Sequence, residues 1–161
     1  MERNKIKKVG KLKQIISRAK ARGKKVVFTN GCFDILHVGH VRYLLRAKDQ
    51  GDVLVVGLNT DRSVKEIKGE KRPVVPEKER AEILAALEFV DYVVLFDEPD
   101  PLRLIAALKP SVLVKGADWP KSRIVGRQIV EGIGGRVVRI PLVAGASSTA
   151  VIAKIIKAYC G

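Results

Sequence analysis

Histidine is nearly absent from this chain, with two residues in 161, and cysteine and tryptophan are as rare at two and one. Cys32 and Cys160 stand far apart and form no metal or redox spacing, so both are expected as free thiols. The two histidines lie three positions apart with no third or fourth ligand cluster nearby, which excludes the common zinc patterns, and no metal held by the protein is expected. Aromatic residues make up 5%, too few for the clustered platforms on which single-stranded bases stack. Apolar runs such as Val53 to Val56 fall far short of a membrane span, so no membrane partner is expected. The opening "MERNKIKKVGKLKQ" is basic but has no apolar centre of the signal-peptide kind, which points to a cytoplasmic location. No internal repeat, low-complexity tract or linker divides the chain, so residues 1–161 are expected to form one domain, with a basic helical segment at 1–23 preceding the first strand.

Charge, by contrast, is abundant and of one sign. Thirty-one Lys and Arg against 17 Asp and Glu give a formal +14. A basic nucleic-acid-binding module would have this balance, and so would an enzyme that handles several phosphates. The cations are spread along the chain, often beside Glu, rather than gathered into one block.

Hydrophobic periodicity supplies the architecture. Residues 24–29, "DVLVVGLN", "YVVLF", "SVLVK" and "RVVRI" read as strands, and "DVLVVGLN" is continuously apolar, as a strand buried on both faces requires. Between them lie helical patterns. "KLKQIISRAKARGKK" carries Leu12, Ile15, Ile16 and Ala19 and stops at Gly23; "VRYLLRAKDQG" stops at Gly51. "TDRSVKEIK" opens on an N-cap residue, and the helix begun at Pro76 has Ile83, Leu84 and Leu87 as its apolar stripe. "DPLRLIAALK", "SRIVGRQIVEGIG" and "SSTAVIAKIIKAY" follow, the last with core residues around Val151 and Ile155. Strands alternating with helices predict an α/β fold: a Rossmann-like parallel five-stranded sheet with helices on both faces. In such a sheet ligands bind at the carboxyl ends of the strands.

Both histidines sit at such an end, in "TNGCFDILHVGH", residues 29–40. They follow a strand and precede a helix whose N-terminal amides attract anions, and Gly39 between His37 and His40 lets a phosphate approach the backbone. Two imidazoles donating there can offset charge on a phosphoryl group in transfer. The other basic and hydroxyl residues are ambiguous by themselves. Lys65 and Lys68 read first as the solvated face of a helix, Arg80 as a partner of Glu77 or Glu82, and Ser147-Ser148-Thr149 as a helix N-cap after a turn at Gly145.

The stretch "GCFDILHVGH" resembles the signature of the nucleotidyltransferase superfamily that carries a His-x-Gly-His motif. Together with "LNTDRSVKEIKGEKRPV", "LVKGADW" and "GASST", it is similar to the adenylyltransferase domain acting on D-glycero-β-D-manno-heptose 1-phosphate. The resemblance implies a reaction of ATP with that sugar 1-phosphate to give ADP-heptose and pyrophosphate, a step toward the lipopolysaccharide core, with Mg²⁺ carried by the triphosphate. It implies catalytic roles for His37, His40, Lys65, Lys68 and Arg80, with the two lysines in a mobile segment that closes over the phosphates. Nucleotide contacts are implied for Cys32, Phe33, Asp34, Gly39, Lys115, Gly116, Asp118, Gly145, Ser147, Ser148 and Thr149, and sugar-phosphate contacts for Asn59, Asp61 and Arg72. In that family the domain is often fused to a sugar kinase; here kinase activity is expected on a separate chain. Many such enzymes are dimers, so a homo-oligomer is compatible with the resemblance, and no nucleic-acid partner is implied. The main alternative is a cytidylyltransferase for glycerol 3-phosphate or a similar small phosphate. Those relatives carry an arginine three residues before the glycine of the last motif, where this chain has Leu142.

Overall fold

Val26, Val27 and Phe28 are all fully buried, although neighbours on a strand point to opposite faces of a sheet. Both faces must therefore be covered. In the structure, a computed structural model that describes residues 5–160, five strands make one parallel sheet: β1 (Val26–Gly31), β2 (Val53–Asn59), β3 (Tyr92–Phe96), β4 (Val112–Gly116) and β5 (Arg136–Ile140). Their order is β3-β2-β1-β4-β5, so the direction of winding reverses between β1 and β4. This is the five-stranded parallel α/β architecture expected from the alternation of elements.

Two cores form, one on each face. Helices α2 (Val38–Lys48) and α4 (Glu77–Ala86) bring Leu44, Ala47, Ala81 and Leu84 against Val27, Leu54, Val56 and Val114. On the other face α1 (Val9–Ala21), α5 (Leu102–Leu108) and α6 (Arg127–Gly132) pack Leu12, Ile16, Ile105 and Val130 against Val26, Phe28, Val55 and Leu113. Helix α3 (Asp61–Lys68) follows β2 directly, with Thr60 accepting the Ser63 N–H as its N-cap. The last helix, α7 (Ser148–Tyr159), follows β5 at the ligand end of the sheet.

Four local expectations need correction. The basic segment at 1–23 is not helical throughout. The helix starts at Val9, and residues 5–7 instead run beside the outer edge of β3, where the Lys7 N–H donates to the Val93 carbonyl at 2.9 Å and the Val93 N–H to Lys5 at 3.0 Å. That pairing covers part of an edge that would otherwise offer free amides; residues 1–4 lie outside the described residues. In α4, Ile83 is 41% exposed, while Leu84 is buried and Leu87 packs against the same core; the inward places one turn earlier are taken by Arg80 and Ala81. The stretch 122–134 is a 3₁₀ turn, Lys121–Arg123, followed by α6, interrupted at Gly126, whose φ of +82° no continuous helix contains. Finally, no residue of α7 is buried, and Ile155 is 50% exposed, so the residues around Val151 and Ile155 are not core.

The contrast between Ile83 and Leu84 has a measurable consequence. Leu84→Ala should lower unfolding stability by about 2–5 kcal/mol, the cost of a cavity beneath the sheet, whereas Ile83→Ala should cost under about 1 kcal/mol. Denaturant titration of the two variants checks this, and equal losses would contradict the burial pattern.

Candidate active site

The loop from β1 to α2 is fixed by two charged residues that never reach solvent. Asp34, whose side chain is wholly buried, accepts the Val75 N–H at 2.8 Å, the Val74 N–H at 2.8 Å and Arg72 Nε at 2.5 Å. Burial alone would raise its carboxyl pKa, but the two amides and the guanidinium outweigh it and hold the group below its ordinary value. Arg80 reaches from α4 beneath the same loop. Its Nε donates to the Val75 carbonyl at 2.8 Å, Nη1 to the carbonyls of Cys32 at 2.6 Å and Asn59 at 2.9 Å, and Nη2 to Asp61 Oδ1 at 2.7 Å. One guanidinium thus ties together the carboxyl ends of β1 and β2, the start of α3 and the segment before α4. Phe33 holds φ at +43°, a conformation side chains rarely adopt, with its ring 3.0 Å from where a Cβ on Gly31 would stand.

At the far end of the loop His37 is the N-cap of α2, and its Nδ1 accepts the Gly39 N–H at 3.1 Å. That bond places the ring proton on Nε2. His40 stacks on His37 with ring centroids 3.8 Å apart, and Phe33 meets His40 edge-on at 5.1 Å. A Cβ on Gly39 would lie 2.9 Å from the His37 ring and 3.0 Å from the Ala146 Cβ, so only glycine lets the ring and the α7 entry close over this turn. Burial pushes the His40 pKa down to about 4, with His37 adding to the shift and the Ile35 carbonyl opposing it; burial also lowers His37. Both rings are therefore neutral at pH 7. His37 Nε2 and His40 Nδ1 are shielded from solvent and have no hydrogen-bond partner among the described residues. Unpaired buried polar atoms of this kind cost about 1–3 kcal/mol each unless something completes them.

These atoms border a cavity of about 520 Å³ at the carboxyl ends of the strands, the size of a small-ligand site. Cys32, Phe33, Asp34, His37, Gly39 and His40 line it from the first loop, and Lys115, Gly116 and Asp118 from the end of β4. Lys68 and Arg72 contribute from the segment after β2, Asn59 from the end of β2, and Ser147, Ser148 and Thr149 from the start of α7. Burial brings the Lys115 pKa down to about 8, with Asp118 and Cys32 pulling it back up, so its ammonium is short of compensating charge. A Cβ on Gly116 would collide with the Asp118 carboxylate. At α7 the Ser147 hydroxyl accepts the Ala150 N–H at 3.0 Å and the Ser148 hydroxyl donates to the Ile35 carbonyl at 3.2 Å. These two hydroxyls serve the helix start and the loop.

Four expected site residues do not line the cavity. Arg80, only 1% exposed, pairs with the partly exposed Asp61, and neither lines the cavity, so Arg80 positions the loop rather than meeting a ligand. Lys65 lies on the exposed side of α3, since Ser63 and Val64 face the protein. Gly145, at φ +72°, shapes the turn into α7. Conversely, Asn30, Trp119 and Arg123 line the cavity and were not anticipated. Asn30 had a legible signal, being a polar residue at the carboxyl end of an otherwise apolar strand; Arg123 was hidden among many other cations.

The family described as cytidylyltransferase-like matches residues 28–154, nearly everything from β1 into α7. The chain is 61% identical over 155 residues to the bifunctional protein HldE of Geobacter metallireducens, covering 96% of this chain and 32% of that protein. It is 54% identical over 160 residues to the protein of the same name from Campylobacter fetus, covering 96% and 34%. The chain thus spans about a third of the length of these curated relatives. Among solved structures, a lipopolysaccharide core biosynthesis protein from Thermoplasma volcanium matches with a TM-score of 0.65 and 30% identity, over 75% of this chain and 99% of that one. A pantoate-β-alanine ligase from Francisella tularensis matches with a TM-score of 0.63 over 96% of this chain and 78% of that one, at 19% identity, a likeness of fold.

The state of Lys115 predicts how anion binding depends on pH. Its free-state pKa of about 8 lies below the ordinary lysine value, and a bound polyanion would raise it again. Affinity for inorganic tripolyphosphate should therefore hold steady below pH 8 and fall as pH rises through about 8, as the ammonium loses its proton. Calorimetry across pH 6.5–9.5 measures it. Lys115→Arg should remove the fall, and an unchanged pH profile in that variant would show that Lys115 takes no part.

Proposed function

Because the chain belongs to the cytidylyltransferase-like family and is a nucleotidyltransferase, we propose that it moves an adenylyl group from ATP to D-glycero-β-D-manno-heptose 1-phosphate. An oxygen of the sugar phosphate attacks the α-phosphorus in line. The bond to the β-phosphate oxygen breaks, and ADP-heptose and pyrophosphate leave. The observation that carries this reading is the pair of unpartnered imidazole nitrogens, on His37 and His40, at the start of α2 and beside the start of α7.

The acceptor phosphate is already ionised, so no strong base is needed. What the reaction demands is that two anions be brought together and their repulsion offset. Neutral His37 donates from Nε2 to a non-bridging oxygen of the α-phosphate, with His40 beside it, and neither supplies net charge. The positive field comes instead from Lys68, Lys115 and the N-terminal amides of α2 and α7, which meet the triphosphate. Lys65 joins them only if residues 65–73 fold inward over the bound phosphates. Mg²⁺ would enter with the nucleotide, and its charge would offset part of that of the phosphates.

Leu142 favours adenylyl over cytidylyl transfer to glycerol 3-phosphate. Its side chain lines the cavity, and its Cδ2 lies 3.1 Å from where a Cβ on Gly116 would stand, an apolar wall in place of the arginine those relatives carry. The heptose assignment draws on the relatives named bifunctional protein HldE and on the Thermoplasma protein named for lipopolysaccharide core biosynthesis. A sugar kinase is then the expected supplier of the 1-phosphate.

Pyrophosphate release across ATP, CTP, GTP and UTP, with heptose 1-phosphate and glycerol 3-phosphate as acceptors, tests the reading. ATP with the heptose phosphate should be the fastest pair; a preference for CTP with glycerol 3-phosphate would overturn it. His37→Ala and His40→Ala should each lower kcat by about a hundredfold, the scale for losing one transition-state donor, with the melting temperature retained. An active double variant would return the histidines to a purely structural role.

A further inference from the structure

The cavity extends beyond the phosphate-directed groups. His37, His40 and the start of α7 gather near the point between β1 and β4 where the winding reverses. On the other side, over β1 and β2, lie two carboxamides. Asn30 pairs in register with Gly57, and Asn59, two residues further along β2, faces the same side of the sheet. A Cβ on Gly57 would stand 3.2 Å from the Asn30 Cβ and 2.8 Å from the Phe28 ring, so only glycine lets Asn30 and Phe28 pack this closely over β2.

The two amides differ in how they are satisfied. Asn59 Nδ2 donates to Ser63 Oγ at 2.8 Å, which holds that side chain in place. Asn30 Oδ1 is shielded from solvent and has no partner among the described residues. Its partner cannot be a phosphate oxygen, because both would be acceptors. A carboxamide instead matches a hydroxyl, which donates to its oxygen and accepts from its nitrogen. The adenylyl donor is rich in phosphate at the β1–β4 side, which leaves the β1–β2 side for the hydroxylated acceptor.

We propose that Asn30 is a specificity-determining residue that hydrogen-bonds a hydroxyl of the acceptor sugar in the part of the cavity over β1 and β2. The assignment rests on the sugar-phosphate acceptor of the preceding subsection. It makes Asn30 the residue that separates a polyhydroxylated phosphate from a bare one, while the nucleotide is held elsewhere.

Steady-state kinetics on the full chain tests it, with Asn30→Ala and Asn30→Ser compared with the unaltered protein. In Asn30→Ala, kcat/KM for heptose 1-phosphate should fall roughly tenfold to a hundredfold, the scale for stranding one hydrogen-bonding group. KM for ATP should stay within about twofold, since uniform loss would signal damage to the whole site. Asn30→Ser, which keeps a group that can donate and accept, should recover part of the loss. An unchanged kcat/KM for the sugar phosphate, or an equal loss toward ATP, overturns the proposal. If the unaltered chain turns over no sugar phosphate at all, the acceptor reading itself falls and takes this inference with it, a result visible before any variant is measured.

Discussion

Arg80 is the largest fully buried side chain among the described residues, and its guanidinium meets three backbone carbonyls and one carboxylate. Those partners lie in the first loop, at the end of β2, at the start of α3 and before α4. The first-loop residues that line the cavity, and Asn59 at the end of β2, belong to these same segments. Removing Arg80 would take the donor from three backbone carbonyls, and each polar group left buried and unsatisfied typically costs about 1–3 kcal/mol. The geometry of the site is therefore bound to the stability of the fold through one side chain that does not line the cavity. Asp34 repeats the device above it, clamping the segment 72–75 to the loop by two amides and Arg72.

With the loop held from below, the histidines can remain uncharged. Burial keeps His40 neutral down to about pH 4, and the Gly39 amide fixes which His37 nitrogen carries the proton. A neutral donor in a water-poor pocket strengthens as charge grows on a phosphate oxygen, and it need not reorganise to do so. In the proposed reaction cationic attraction falls to lysines and helix ends, whose reach is longer and whose exact placement matters less. The depressed folded-state pKa of His40 has its own sign. The neutral ring stabilises the fold above the unfolded pKa, near 6.5, and that stability is lost as pH falls from there toward 4.

The sheet was readable in the sequence because continuous apolar runs admit one arrangement, burial on both faces, and the strand-helix alternation sets parallel pairing. The histidine loop was readable because residue scarcity made its contents conspicuous. What stayed hidden depended on contacts between distant segments. Arg80 looks like any surface arginine of an amphipathic helix, and its four partners lie as far as 48 residues away. Ile83 and Ile155 match a helical stripe equally well whether or not a core lies opposite. Asn30 stands out in the sequence as a polar end to an apolar strand, but that its Oδ1 lacks a partner shows only in the fold. Spacing shows which face a residue takes; it does not show what that face meets.

Transfer at the α-phosphorus is the claim on which the account turns, and phosphorus labelling tests it most directly. The protein would be incubated with heptose 1-phosphate and Mg²⁺ in parallel with ATP labelled at the α- or at the γ-phosphate, and the label located in the products. The account predicts that α-label appears in the nucleotide sugar and γ-label in pyrophosphate. Label from the γ-phosphate in the sugar product, or free phosphate without a nucleotide sugar, would contradict it.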